Sequence, residues 1–317
     1  MIITIGLLIL GLLLLVKGAD WLVSGASAIA RYFKVSDLAI GLTIVAFGTS
    51  APELVVNGFA AFEQSFDLVF GNVIGSNNFN LFVILGITGL VAPIKVQSST
   101  VWKEIPLSLF AAVLILLIAN SWLPIVSSGV SRIEAVILLI IFAGFLYYVF
   151  SQLKSDVETQ TADQIPLKLN KSLLLVIVGL AGLVGGGRLV VQSAVELAQQ
   201  LGISEKVIGL TIVAAGTSLP ELVTSVVAAL RKNTDIAVGN IIGSNIFNLL
   251  FILPISALIH PLVYNTAFNT DLLILAGGTI LLFVAMFTGI RKKLDRWEAG
   301  LLFAIYIAYT IVVIANG

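Results

Sequence analysis

Two short runs, Gly48-Thr49-Ser50-Ala51-Pro52-Glu53 and Gly216-Thr217-Ser218-Leu219-Pro220-Glu221, each place two hydroxyls, a proline and a carboxylate inside otherwise apolar sequence. The flanking residues are long enough to put each glutamate near the middle of a membrane-spanning segment. A charge there costs about 2.5–3.5 kcal/mol on insertion scales, so an intramembrane carboxylate points to function. Each threonine precedes its glutamate by one helical turn, which sets a hydroxyl oxygen beside the carboxylate on one face. A proline inside a helix removes one hydrogen bond and clashes with the carbonyl four residues earlier. Pro52 and Pro220 therefore free the carbonyls of Gly48 and Gly216, and the distorted turn before them lets those of Ala46 and Ala214 face a cavity. Backbone of that kind is tolerated at membrane depth only where it is buried in protein or lines a polar cavity.

A second polar face follows each run. Gly71-Asn72-Val73-Ile74-Gly75-Ser76-Asn77-Asn78-Phe79-Asn80 matches Gly239-Asn240-Ile241-Ile242-Gly243-Ser244-Asn245-Ile246-Phe247-Asn248, and Ser76/Asn80 and Ser244/Asn248 again stand one turn apart. Asn72, Asn77, Asn240 and Asn245 have a plain alternative role, bonding between helices. Together these residues offer only oxygen, with no His, Cys or Met, and such a ligand set suits a hard cation. Calcium takes 6–8 oxygens in flexible geometry, whereas magnesium dehydrates reluctantly. Glu53 and Glu221 carry two negative charges, which one Ca²⁺ or two Na⁺ neutralise. Crossing empty would leave both charges facing hydrocarbon, so charge alone argues for obligatory antiport.

The elements that must position these groups are membrane helices. The 317 residues are 59% hydrophobic and 11% charged, with a mean hydropathy of +1.10; soluble domains carry about 25% charged residues. Apolar runs near the spanning length of about 20 residues fall at about 2–30, 37–61, 69–92, 104–120, 132–150, 172–199, 205–229, 237–259, 271–289 and 297–315. The expectation is an all-α polytopic membrane protein of ten transmembrane helices. The first run has no basic segment ahead of it and Lys17 after it, so it reads as a retained helix. Residues 1–150 form one five-helix half, 151–171 a polar linker, and 172–317 a second half. Residues 36–93 align without a gap on 204–261, with 32 identities in 58 positions that include Gly, Pro, Asn and Glu. An odd number of spans per half inverts the second copy, an arrangement found in secondary transporters with the substrate site at the midplane.

Arg31, Lys34, Lys95, Lys103, Lys154, Lys168, Lys171, Arg231, Lys232, Arg291, Lys292, Lys293 and Arg296 fall in one set of loops, against Arg132 and Lys206 in the other. The positive-inside rule makes the richer set, and the linker, cytoplasmic, with both termini extracellular and the cell membrane as the location. Lys17, Asp20 and Arg188 lie within spans, where snorkelling to the interface is the expectation. Asp67 and Asp235 read as helix caps. Zero net charge argues against a nucleic-acid partner, and the absence of Cys rules out disulfides and thiolate metal sites. No cofactor is expected, the lipid bilayer is the surrounding partner, and a monomer suffices.

The two Gly-Thr-Ser-x-Pro-Glu runs, each followed by Gly-Ser-Asn-x-Phe-Asn, resemble the alpha repeats of the sodium/calcium exchanger family, within the cation/calcium exchanger superfamily and of the prokaryotic type. The resemblance implies that Glu53, Glu221 and the carbonyls of Thr49 and Thr217 hold Ca²⁺. It implies that Na⁺ uses those groups with Ser50, Ser218, Ser76, Ser244 and the carbonyls of Ala46 and Ala214. Asn80 and Asn248 would flank the central position. It further implies that spans 1 and 6 move against the other eight, and that three Na⁺ exchange for one Ca²⁺. Several relatives, including potassium-dependent exchangers, carry aspartate where this chain has Asn248, which puts potassium coupling in doubt. The nearest alternative is a proton/calcium antiporter. An intramembrane aspartyl-type protease fits poorly, because its dyad must share a proton and these acids sit behind prolines with no substrate gate. A channel is disfavoured by inverted repeats with broken helices, and no enzyme activity is expected.

Overall fold

Prolines mark several turning points of this chain: Pro52 and Pro220 open new helices, and Pro93 and Pro261 follow helix ends. The computed structural model describes residues 2–120, 129–152, 168–200 and 214–316. The helices are α1 (Ile2–Phe33), α2 (Asp37–Thr49), α3 (Ala51–Phe62), α4 (Phe66–Val91), α5 (Thr100–Ala119), α6 (Arg132–Gln152) and α7 (Leu169–Gln200). The short α8 (Ala214–Gly216), α9 (Leu219–Leu230), α10 (Thr234–Ile259), α11 (Asn269–Ala285) and α12 (Arg296–Asn316) follow. Among the described residues, seven helices are long and apolar enough to cross a membrane, or eight if α2 and α3 are one bent span. The protein is a multi-pass membrane protein. Residues 201–213, where most of the first half of the expected seventh span falls, lie outside the described residues.

The architecture is helical, with one departure. Ala92 and His260 precede prolines, which push the preceding residue out of the helical region, and both are extended, with φ −143°. The chain after each proline then pairs for two residues. β1 (Ile94–Lys95) runs antiparallel to β4 (Lys293–Leu294), and β2 (Gly129–Val130) to β3 (Leu262–Val263). β1/β4 joins two of the loops rich in Lys and Arg; β2/β3 joins two of the poor ones.

Helices α4 and α10 form the interior: 78% and 83% of their most apolar windows are buried, against 28% for α1, α7 and α11. The peripheral helices turn large apolar side chains outward, such as Ile3, Leu13, Ile140 and Ile177, as lipid contact requires. Four stretches have the wider π turn: Gly41–Val45 in α2, Phe79–Ile84 in α4, Thr100–Glu104 in α5 and Asn248–Ile252 in α10. π turns occur often at functional sites, and those of α4 and α10 begin within one residue of Asn80 and Asn248.

Helices α1 and α7 pack antiparallel along a glycine seam. A Cβ at Gly11 would sit 2.9 Å from the Gly186 carbonyl oxygen; one at Gly18 would sit 2.8 Å from that of Gly179; one at Gly25 would sit 2.7 Å from that of Ser172. The seven-residue spacing keeps these positions on one stripe, and small residues let membrane helices approach to backbone contact. The caps differ from expectation. Asn233, not Asp235, accepts the Ile236 amide at the start of α10, because it occupies the residue just outside the helix. Asp235 accepts from Gln97 (2.7 Å) and Asp67 from Asn265 (3.4 Å) instead. Asp20 is not left to snorkel: Arg231 reaches over from the end of α9 and pairs with it. Lys17 and Arg188 are exposed.

Filling the seam tests its role. Gly179→Val forces a branched side chain into the α1 backbone, and overpacking of this kind costs about 1–3 kcal/mol. Thermal unfolding of the detergent-solubilised protein is expected to show a clear loss of stability, whereas Gly185→Ala, with nothing within 4 Å of its Cβ, leaves the midpoint unchanged or raised.

Candidate functional site

The break between α2 and α3 builds one half of the site. Ser50 leaves the helical region (φ −84°, ψ 7°), and Pro52 falls in the first turn of α3, where its missing N–H costs nothing. The two helices bend by 48° across this point. Ser218 has nearly the same conformation (φ −90°, ψ 7°) before Pro220 and α9. Glu53 and Glu221 thus enter from the first turns of two helices, where a carboxylate is favoured by the helix N-terminus. Each is only 1% exposed.

The two halves exchange donors. Ser218 Oγ lies 3.2 Å from Glu53 Oε1, and Ser50 Oγ lies 2.8 Å from Glu221 Oε1. Ser50 is also 3.0 Å from Ser244, and Ser218 3.3 Å from Ser76. A serine has one proton to give. With that proton on the carboxylate, Ser244 donates to Ser50 and Ser76 to Ser218. The second oxygen of each glutamate, Oε2, has no partner among the described residues, nor have Thr217 Oγ1, Asn80 Oδ1 and Asn248 Oδ1. A buried acceptor left unpaired costs about 1–3 kcal/mol, more when charged. The site therefore concentrates unmet oxygen acceptors of the hard type.

Amides hold the frame. Asn80 Nδ2 donates to Asn245 Oδ1 (3.1 Å), and Asn245 Nδ2 reaches the Asn77 carbonyl (3.4 Å). Thr49 Oγ1 lies 2.9 Å from Asn240 Oδ1. Asn240 Nδ2 donates to the Glu221 carbonyl (3.2 Å) and to Ser225 Oγ (2.9 Å). In the other half Asn57 Nδ2 donates to the Glu53 carbonyl and to Asn72 Oδ1, both at 2.7 Å. Asn72, Asn240 and Asn245 thus bond between helices, while Asn77 Nδ2 donates to its own Val73 carbonyl (2.6 Å). Asn57 and Ser225, missed in the sequence, complete the frame; each lies one helical turn after its glutamate. The Ala46 carbonyl does not turn into a cavity: it accepts the Ser50 amide at 3.0 Å, with Thr49 Oγ1 at 3.3 Å. Its counterpart Ala214 begins α8, directly after the residues outside the description.

Glu53, Glu221, Ser50, Ser218, Ser76, Ser244, Asn80, Asn248 and Thr49 are all buried, and bonds within one small region join most of them. Among the described residues no group of three or more His, Cys, Asp or Glu side chains gathers anywhere. The site's charge therefore rests on two carboxylates surrounded by neutral oxygens.

Such an arrangement suits a membrane carrier for small cations. The family model for the sodium/calcium exchanger protein matches residues 3–151 and 171–315, and the chain belongs to that family. It is 36% identical to the putative antiporter CaxA of Alkalimonas amylolytica, over 97% of this chain and 98% of that one. It is 33% identical to the sodium/calcium exchanger MaX1 of Methanosarcina acetivorans, covering 96% and 97%. Among solved structures it resembles the sodium-calcium exchanger NCX_Mj soaked with Na⁺ and Sr²⁺, with a TM-score of 0.84, 35% identity and 98% coverage of both chains. The family is one of transporters, not enzymes, and its ions are substrates rather than cofactors.

Asn57 generates a direct test. Asn57→Leu removes two hydrogen bonds and leaves Asn72 Oδ1 without its donor, a loss of about 1–3 kcal/mol. A lower unfolding temperature is expected, and a midpoint equal to wild type would show that the amide holds nothing together.

Proposed function

We propose that this chain is a secondary antiporter that exchanges Na⁺ for Ca²⁺ by alternating access. The observation that carries the reading is the pair Glu53 and Glu221. Each is 1% exposed, each takes one hydrogen bond from the opposite half's serine, and each keeps one oxygen free. Two such charges are costly in a low dielectric unless paired. A single Ca²⁺ compensates both, and Na⁺ ions do so separately. The neutral oxygens of Thr49, Thr217, Ser50, Ser218, Ser76, Ser244, Asn80 and Asn248, with the backbone carbonyl of Ala214, supply the remaining coordination across the transport cycle. Hydroxyls and carbonyls in that number serve Na⁺ and are superfluous for protons, which favours Na⁺ over H⁺ as the counter-ion.

The same reading takes the chain as ten spans in two inverted halves, 1–150 and 172–317, joined by a cytoplasmic linker, with both termini outside. The antiparallel α1–α7 seam, the exchanged serine donors and the pairing of β1 with β4 support it. All the named ligands come from one chain, so the carrier works as a monomer.

Na⁺-gradient-driven ⁴⁵Ca²⁺ uptake into proteoliposomes, with pH equal on both sides and voltage clamped, is the central test. Uptake is expected; uptake that follows only an imposed pH gradient would make the protein a proton antiporter. Glu53→Gln or Glu221→Gln leaves one buried charge uncompensated around Ca²⁺, an effect of about 3–5 kcal/mol, and uptake should fall at least about 100-fold. A near wild-type rate in either variant would remove that glutamate from the site.

Asn248 offers an oxygen but no charge. Co-binding K⁺ with Ca²⁺ would leave excess positive charge in the core, so exchange is expected to proceed unchanged when choline replaces K⁺. A strict K⁺ requirement would overturn the ligand assignment.

Orientation is checked with single cysteines in this cysteine-free chain. In sealed right-side-out vesicles, Ser65→Cys should react with an impermeant maleimide, whereas Ser98→Cys should react only after the membrane is permeabilised. The reverse pattern would invert the topology.

A further inference from the structure

The turn between α11 and α12 has a surface that ion exchange does not use. Arg291, Lys292, Lys293 and Arg296 crowd into it, and Lys95 faces it from strand β1. The backbone is fixed internally. Gly289 and Lys292 take left-handed conformations (φ 52° and 58°), and the Lys292 amide bonds the Met286 carbonyl at 2.8 Å. Lys293 is spent on Asp295 at 2.8 Å and holds that carboxyl below its usual range. The Glu298 carboxylate is fully bonded by Thr288 Oγ1 (2.5 Å) and the Asp295 amide (2.8 Å). Arg291, Lys292, Arg296 and Lys95 remain exposed, and no ion pair is recorded for them among the described residues.

Directly beside this basic rim, a crevice of about 230 Å³ opens between α11 and α12. Leu281, Leu282, Ala285, Leu301 and Leu302 line it, with Trp297 at its edge and the mutually bonded Thr288 and Glu298 at its polar end. Trp297 is 62% exposed, and nearby Trp102, 58% exposed, packs edge-on against Phe283 and Phe287. Tryptophan with Lys and Arg marks the headgroup level of a membrane. An apolar crevice below that level and uncompensated cations above it match the two ends of one molecule, a lipid with a negatively charged headgroup.

We propose that this crevice is a binding site for an anionic phospholipid, with an acyl chain between α11 and α12 and the phosphate on Arg291, Lys292 and Arg296. A zwitterionic lipid carries its own cation and would find no partner for it on this rim. The site depends on the membrane-spanning fold and not on the Na⁺/Ca²⁺ reading, so either can fail without the other.

The test is native mass spectrometry of the full-length protein, released from detergent after incubation with dioleoylphosphatidylglycerol or dioleoylphosphatidylcholine. One phosphatidylglycerol is expected to be retained in preference to phosphatidylcholine. Arg291→Ala/Lys292→Ala/Arg296→Ala should weaken phosphatidylglycerol binding on the order of 100-fold, from about 1 kcal/mol for each basic side chain. The control Lys168→Ala/Lys171→Ala/Arg188→Ala removes as many charges elsewhere and should leave it intact. Leu301→Trp fills the crevice and should displace the lipid with the basic rim untouched. Thermal unfolding of each variant separates lost binding from lost folding. Equal retention of the two lipids, undiminished binding in the first triple variant, or the same loss in the control variant would each overturn the proposal.

Discussion

Two carboxylates buried within one membrane protein, each with a single serine donor, set the terms for everything around them. Among the described residues no Lys or Arg forms an ion pair with Glu53 or Glu221. Nor can bulk water solvate the two acids, since both are almost wholly buried. The chain responds with neutral oxygen: hydroxyls one turn before each acid, amides on α4 and α10, and helices broken by proline so that each acid sits in a first turn. A surplus of unpaired acceptors makes a cation the natural partner and makes the unloaded state costly.

The rest of the architecture serves that arrangement. Because α4 and α10 are enclosed on most sides, their Ser, Asn and Gly residues keep fixed positions, and the π turns beside Asn80 and Asn248 set the registration of those amides. The outer helices α1 and α7 approach to glycine backbone along their seam, with Leu15, Leu22, Val176 and Leu183 packed beside it. The short strand pairs tie loops at either end without adding charge to the interior. The oxygens of the site gather at the centre, and the peripheral helices present hydrocarbon on their outer faces.

Much of this was legible in the sequence because membrane burial makes polar residues conspicuous. Gly-Thr-Ser-x-Pro-Glu stands out in apolar sequence, and its recurrence located both acids, their threonines and a distorted turn before each proline. Asn57 and Ser225 were not found because they differ from each other at equivalent positions, so a search for identities passed over them. Their place one turn beyond each glutamate was the available signal. The Ala46 carbonyl shows a different limit: sequence marks where a helix can open, but whether a neighbouring amide closes it depends on local backbone angles. Asp235 read as a cap by residue type, while the residue just outside the helix proved to be Asn233. Asp20 found Arg231 through a packing that no local pattern encodes. The two-residue strands were equally hidden, being products of loops meeting across the fold.

The crossed serine bonds have a consequence for descent. Ser50 serves Glu221 and Ser218 serves Glu53, so neither half contains a finished pocket. One copy of the repeated run on its own carries an acid without its hydroxyl, and the second copy supplies it. The two runs cannot drift independently, because a serine lost from one is a defect at the acid of the other.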